Sequence, residues 1–423
     1  MAGSRTSLTV VEVGGSCIRS QSGRTTMIQG SNRGLIACSV TLLACCYAGE
    51  AGDRPPQAPL FAPAPGSPIT LGAGSNHVVL GDMNRDGKLD LVVASAKPLG
   101  LRVLLGLGDG RFGASETILP LREGPSEVAL GDVNGDGYLD LACASHDSYA
   151  VTLALGDGKG GLCLAENSPI VMKDGKHPHT HGLGLADLNG DQKLDLVSVN
   201  NADNDLSIAF GDGHGSFTPA PGSPFAVGPS PYPLAIGDLD RDGRLDIVAT
   251  ASATGPQRAN QLALSRALTI LLADGHGGFA TKQVPLRTSE PWFVATGDVD
   301  SDGLPDLLAT HHEMREFSLV LADAKGGFVE SADSPLDFGR SVFQVELADV
   351  NRDGKLDALG AAGEGVRVLL GDGKGHFHPA PHSPYSAGTG TWSFALGDVN
   401  GDGRLDLAAG DAEHNTISVL LGQ

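Results

Sequence analysis

One short acidic pattern returns seven times along the chain and limits what it can fold into. GDMNRDGKLDLVVAS opens at Gly81 and recurs as GDVNGDGYLDLACAS, ADLNGDQKLDLVSVN, GDLDRDGRLDIVATA, GDVDSDGLPDLLATH, ADVNRDGKLDALGAA and GDVNGDGRLDLAAGD. The leading aspartates are Asp82, Asp132, Asp187, Asp238, Asp298, Asp349 and Asp398, at intervals of 49–60 residues. A period of this length makes each repeat one supersecondary unit that buries its apolar faces only against its neighbours. Around each acidic loop lie short runs of Val, Leu and Ala bounded by Gly, Asp and Asn. Val78-Val79-Leu80 precedes the first loop, and Leu89 to Ala94 and Val103 to Leu105 follow it. A GDGxGxF turn then leads to a fourth run opening at a phenylalanine, as at Phe217, Phe279, Phe328 and Phe377. This is strand and hairpin chemistry. It predicts an all-β, seven-bladed propeller of four-stranded blades over residues 59–423.

The last repeat stops at TISVLLG, short of its fourth run. A matching segment lies at the other end: Phe61 opens FAPAPGSPITLG, against FTPAPGSPFAVG at Phe217 and FHPAPHSPYSAG at Phe377. Phe61 to Gly72 are therefore expected to complete the seventh blade and close the ring, which hides two sheet edges.

Positions 1, 3, 5 and 9 of every loop are Asp or Asn, and all are candidate Ca²⁺ ligands. They are Asp82, Asn84, Asp86 and Asp90; Asp132, Asn134, Asp136 and Asp140; Asp187, Asn189, Asp191 and Asp195; and Asp238, Asp240, Asp242 and Asp246. The last three loops supply Asp298, Asp300, Asp302 and Asp306; Asp349, Asn351, Asp353 and Asp357; and Asp398, Asn400, Asp402 and Asp406. Ca²⁺ takes six to eight oxygens, and alternate residues of a tight loop can all turn inward. Without a cation, two carboxylates ~5 Å apart repel by roughly 3 kcal/mol at an effective dielectric of ~20. The fourth and fifth loops, with Asp240 and Asp300 at position 3, are expected to bind most strongly. The third is doubtful, because Gln192 replaces the glycine at position 6. Fifty acidic against 29 basic residues give a net charge of −21, which disfavours nucleic acid and anionic lipid. Seven Ca²⁺ ions would reduce this to −7.

DxNxDGxxDL followed by VLLGDGxGxF resembles the FG-GAP repeats of integrin α-subunits and the related bacterial VCBS repeats. The resemblance extends over residues 59–423. It implies a propeller with Ca²⁺ loops between the first and second strands of each blade, and it implies adhesion or carbohydrate binding loosely.

Residues 1–48 carry no repeat and hold Cys17, Cys38, Cys45 and Cys46. The 11-residue apolar run from Gly34 to Ala44, after Arg33, suits a signal-peptide core and is too short to span a bilayer. Leu42-Leu43-Ala44-Cys45 resembles the lipobox of bacterial lipoproteins, which implies lipidation at Cys45. A plain cleaved signal ending near Ala48 is the alternative. Met27 gives a leader of more usual length than Met1. Residues 49–58 read as a linker, and the expected location is outside the cell or on its surface.

Six residues before each leading Asp the chain reads Asn76, Ser126, His181, Tyr232, Trp292, Phe343 and Trp392. His181, Tyr232, Trp292, Phe343 and Trp392 form a candidate ligand-binding arc. Shared strand parity with the apolar residues two and four positions later gives the alternative, packing between blades. His177, His179 and His181 alternate in HPHTH and can suit a transition metal, but no acidic or Cys partner is visible, so solvated loop histidines are expected. His311-His312-Glu313 reads the same way. Cys143 and Cys163 allow a disulfide. No nucleophile–base pair stands out. The reading is a monomeric, non-enzymatic surface module for a glycan or protein. The alternatives are a lyase- or dehydratase-like propeller acting on polysaccharide or sugar, and a propeller lectin.

Overall fold

The computed structural model describes residues 58–71, 74–113, 117–252 and 265–423. The leader with Met27 and Cys45, nearly all of the linker, and Gly72 lie outside the described residues. The fold is all-β, and among the described residues the one helical element is a short 3₁₀ turn, Asn201–Asp203. Among the described residues the strands form six hydrogen-bonded antiparallel sheets. Five hold one sequence repeat each. The sixth, nine-stranded, joins the last two repeats through Tyr385 opposite Val366 and Thr391 opposite Gly363.

The third repeat shows the pattern. Thr180–Ala186, Asp195–Asn200 and Asp205–Gly211 run antiparallel, and the acidic loop forms the turn between the first two. The outer strand comes in two pieces, Phe217–Pro219 and Phe225–Ala226, both paired with Asp205–Gly211. Ser223 lies between the pieces, and its Oγ accepts a hydrogen bond from Ile208 N at 3.0 Å.

The N-terminal segment repeats this arrangement on the last unit. Phe61–Pro63 and Ile69–Thr70 both pair with Thr416–Gly422, with Phe61 opposite Gly422 as Phe217 is opposite Gly211. Ser67 Oγ accepts from Val419 N at 2.9 Å. Phe61 is buried, its ring edge-on to Tyr385 at 5.2 Å.

The core is distributed between units. Seven apolar clusters each join two consecutive repeats, and one of them sets Val78, Leu91 and Val93 of the first repeat against Ala408, Ile417 and Val419 of the last. Second strands are therefore covered on both faces, and Asp140–Ser145 is buried throughout. That explains their unbroken runs of small aliphatics. The glycine before most loops allows the next unit to approach. A Cβ on Gly81 would lie 2.6 Å from Leu130 Cδ1, and one on Gly397 2.6 Å from Leu89 Cδ1.

Candidate functional site

Every acidic loop folds around its own backbone amides. Asp82 Oδ1 accepts from Asp86 N at 3.1 Å and its Oδ2 from Gly87 N at 2.9 Å, while Asn84 Oδ1 also accepts from Asp86 N, at 3.0 Å. Gly87 supports this turn with φ +81°. Gln192 takes the same conformation at φ 68°, and its N–H bonds Asp187 Oδ2 at 2.8 Å. The third loop thus keeps its shape at the cost of a left-handed non-glycine residue, on the order of 1–2 kcal/mol. Gln192→Gly is expected to raise unfolding stability by about 0.5–1 kcal/mol, after allowing for the greater freedom of glycine in the unfolded chain. Urea denaturation measures this, and a loss of stability would refute the strain.

Position 9 has a second task. The seven position-9 aspartates are fully buried. Each spans two strands by accepting two backbone amides. Asp306 takes Val299 N at 3.0 Å and Ala322 N at 2.8 Å, and Asp195 takes Leu188 N and Gly211 N, both at 2.9 Å. Burial raises the carboxyls of Asp195, Asp306 and Asp357 to about 7, against the opposing effect of these amides. The sequence reading treated these residues as ligands alone.

The fourth and fifth loops gather charge most tightly. Carboxylate oxygens of Asp238, Asp240 and Asp246 lie within 4.8 Å of one another, as do those of Asp298, Asp300 and Asp302. Asp238 Oδ1 is buried without a hydrogen-bond partner, and burial holds that carboxyl above its usual range. Converging hard oxygens with an unsatisfied lone pair fit a Ca²⁺-sized cation.

The other concentration of chemistry is a cavity of about 670 Å³, lined by residues from all seven repeats. His181, Tyr232, Trp292, Phe343 and Trp392 all line it. They form a continuous wall. His181 stacks on Tyr232 at 4.1 Å, Tyr232 meets Trp292 at 5.5 Å, Trp292 meets Phe343 at 5.4 Å, and Phe343 lies against Trp392 at 3.9 Å. Trp292 is 7% exposed and Trp392 50%.

A recurrent bulge breaks the strand parity at this position, while the burial of Trp292 and its ring contacts with Tyr232 and Phe343 of the adjacent repeats also fit packing between units. Pairing jumps from Thr391↔Asp411 to Ser393↔Gly410, leaving Trp392 as the extra residue, and from Pro291↔His311 to Val294↔Ala309 around Trp292. A bulge re-aims side chains in this way.

Between the aromatic position and the leading Asp, His77, Glu127, Gln344, Glu346 and Ser393 supply polar groups to the cavity. Glu127 Oε2 accepts from Leu183 N at 3.0 Å, and Glu346 Oε1 accepts from Gln344 Nε2 at 2.7 Å. Burial pushes both carboxyls up to about 7 and His77 down to about 4. Three buried polar atoms of lining residues lack a hydrogen-bond partner: His77 Nδ1, Ser126 Oγ and Trp292 Nε1.

Three further expectations change. His179 and His181 are not solvated loop residues. They are half-buried and meet His146 of the preceding unit, which sequence spacing could not bring together. Cys143 and Cys163 form no disulfide: Cys143 is buried and Cys163 exposed. His311 is a buried structural residue bonded to Ser289 O and Ser318 Oγ, each at 2.9 Å.

All-β repeats arranged in propeller-like fashion define the class. The chain is an FG-GAP repeat protein: the FG-GAP-like repeat family matches residues 82–143, 187–249 and 349–409. No curated protein matches the chain. The solved structure of BBS1N in complex with ARL6DN is similar at TM-score 0.58 and 13% identity, covering 86% of this chain and 97% of that one. An Agrocybe aegerita lectin, described as recognising non-reducing terminal N-acetylglucosamine, is similar at 0.51 and 20%, covering 72% and 79%. A protein from Lactobacillus plantarum is similar at 0.53 and 12%, covering 72% and 83%. At these identities the likeness concerns the fold. Among the described residues, no helix is long and apolar enough to cross a membrane.

Proposed function

We propose that the chain is an exported, Ca²⁺-stabilised binding module that takes a glycan or protein ligand in its central cavity without catalysing a reaction. In this reading the fold is a seven-bladed propeller, closed by the N-terminal strand. Its support is the apolar cluster joining the last repeat to the first and the pairing of Phe61–Pro63 with Leu420–Gly422. Calcium would be held in the acidic loops, chiefly by Asp238, Asp240, Asp242 and Asp246 and by Asp298, Asp300, Asp302 and Asp306. When bound it supplies the positive charge that offsets their mutual repulsion. The leader and the lipobox-like Cys45 support attachment at the cell surface.

One observation carries the ligand reading: five aromatic faces and three unpartnered polar atoms border the same cavity. Aromatic faces stack on the apolar faces of sugar rings or on planar peptide groups, while unpaired donors and acceptors favour a ligand that carries hydroxyls or amides. Trp392 is the best probe, because its exposure means that truncation leaves the core intact.

On an array of glycans that includes terminal N-acetylglucosamine, Trp392→Ala is expected to weaken binding by about 30-fold, or ~2 kcal/mol. Phe343→Ala should act in the same direction. Equal signals from wild type and both variants would refute the aromatic wall as the binding surface. Glu127 and Glu346 give the enzymatic alternative its footing, since burial raises both carboxyls to about 7, where they can gain and lose a proton near neutral pH. Release of new reducing or unsaturated ends from a bound polysaccharide would favour that alternative.

A further inference from the structure

His146 follows the second strand of the second repeat, Asp140–Ser145. His179 and His181 flank Thr180 where the third repeat begins its first strand, Thr180–Ala186. Each offers a ring nitrogen, and the three lie within 4.8 Å of one another. His179 Nε2 and His181 Nε2 are 2.9 Å apart. Ring centroids are separated by 4.2 Å for His146–His179, 4.6 Å for His179–His181 and 5.1 Å for His146–His181.

The backbone under these rings is fixed by hydrogen bonds within and between the two repeats. Thr180 N donates to His146 O at 3.3 Å, and Thr180 Oγ1 to Ser148 O at 2.7 Å. His146 N donates to Gly124 O at 2.9 Å, and Asn201 N to His179 O at 2.8 Å. The imidazoles are thus presented on two anchored segments, as a preorganised ligand set requires.

We propose that His146, His179 and His181 form a transition-metal site, of the Zn²⁺ class, at the edge of the central cavity. Three imidazoles without a thiolate select borderline cations such as Zn²⁺, Cu²⁺, Ni²⁺ or Co²⁺, whereas Ca²⁺ and Mg²⁺ require oxygen. Zn–N bonds of ~2.0–2.1 Å in a tetrahedron place ligand nitrogens about 3.3 Å apart. The observed spacing brackets that value, so small side-chain rotations complete the site.

His146 Nδ1 meets Asp147 Oδ1 at 2.9 Å, the carboxylate–imidazole pairing that fixes the tautomer and leaves Nε2 free to ligate. His146 and His181 also line the cavity, so a metal held there would be open to it. Three protein ligands and one open position are the pattern of metal sites that engage a further molecule. The metal site stands whether or not the cavity takes a glycan. Only the identity of the fourth ligand rests on that reading.

The full-length chain, saturated with Ca²⁺ and stripped of other metals, is titrated with Zn²⁺ by calorimetry. One equivalent is expected at micromolar or tighter Kd. His146→Ala and His179→Gln should each weaken binding by about 10-fold or more, while His214→Gln, in a remote turn, should leave it unchanged. Co²⁺ in place of Zn²⁺ should give the visible absorption bands of a low-coordinate nitrogen site in wild type and His214→Gln, and not in His146→Ala or His179→Gln. The melting midpoint in Ca²⁺ reports whether each variant is folded. Zn²⁺ uptake that persists unchanged in the folded His146→Ala/His179→Gln double variant, or no uptake by wild type at 100 µM Zn²⁺, would overturn the proposal.

Discussion

Withdrawing calcium with a chelator should lower the thermal midpoint of this chain by about 10 °C or more. A cation that binds only the native state stabilises by about 2.7 kcal/mol per site at 100-fold excess over Kd. Several loops saturated together would contribute on the order of 10 kcal/mol, and in a large domain each kcal/mol moves the midpoint by about 2 °C or somewhat less. The increment should concentrate in the loops around Asp240 and Asp300, where three carboxylates converge. Asp240→Asn combined with Asp300→Asn should therefore remove a disproportionate share of the calcium-dependent gain. Identical melting curves with Ca²⁺ and with chelator would remove calcium from the account of this fold.

The largest single-residue effect is expected at position 9. Asp306→Ala strands Val299 N and Ala322 N in a fully buried site. Bonds to a charged group contribute about 1.5–3 kcal/mol each, and orphaned buried donors add their own desolvation cost. The expected loss is about 3–5 kcal/mol. Asp306→Asn keeps one acceptor and should lose roughly half as much. Because these bonds run to backbone amides and not to an ion, the loss should persist in chelator, which separates this role from calcium ligation. A change below about 1 kcal/mol in urea denaturation would show that the amides find other partners.

Much of the fold is legible in the sequence because its information is local. Strand, acidic loop, strand and turn follow one another within each period, and Phe61 announces its partner by repeating the segment at Phe217. The cavity wall is only half legible. The aligned position of His181, Tyr232, Trp292, Phe343 and Trp392 stands out, but the direction of those side chains depends on a bulge that period-two reasoning cannot foresee. His146 is illegible for a different reason. It reaches its partners across a boundary between repeats, from the far end of a neighbouring strand pair. The position-9 aspartates were visible as acidic residues, while their bonds to two strand ends exist only in three dimensions.

The pairing of the N-terminal segment with Thr416–Gly422 has a kinetic consequence. Ser67 and Val419 are 352 residues apart in sequence, yet they share a hydrogen bond. Closing a flexible loop of that length costs about 5 kcal/mol of chain entropy beyond a fixed constant. The contact is therefore worth making only once the intervening repeats have stacked and shortened the effective loop. Folding should proceed along the array and finish with this seam. The seam is also where the assembled protein should open first, so hydrogen exchange at Val419 and Gly422 should run ahead of exchange in the second strands of the middle repeats.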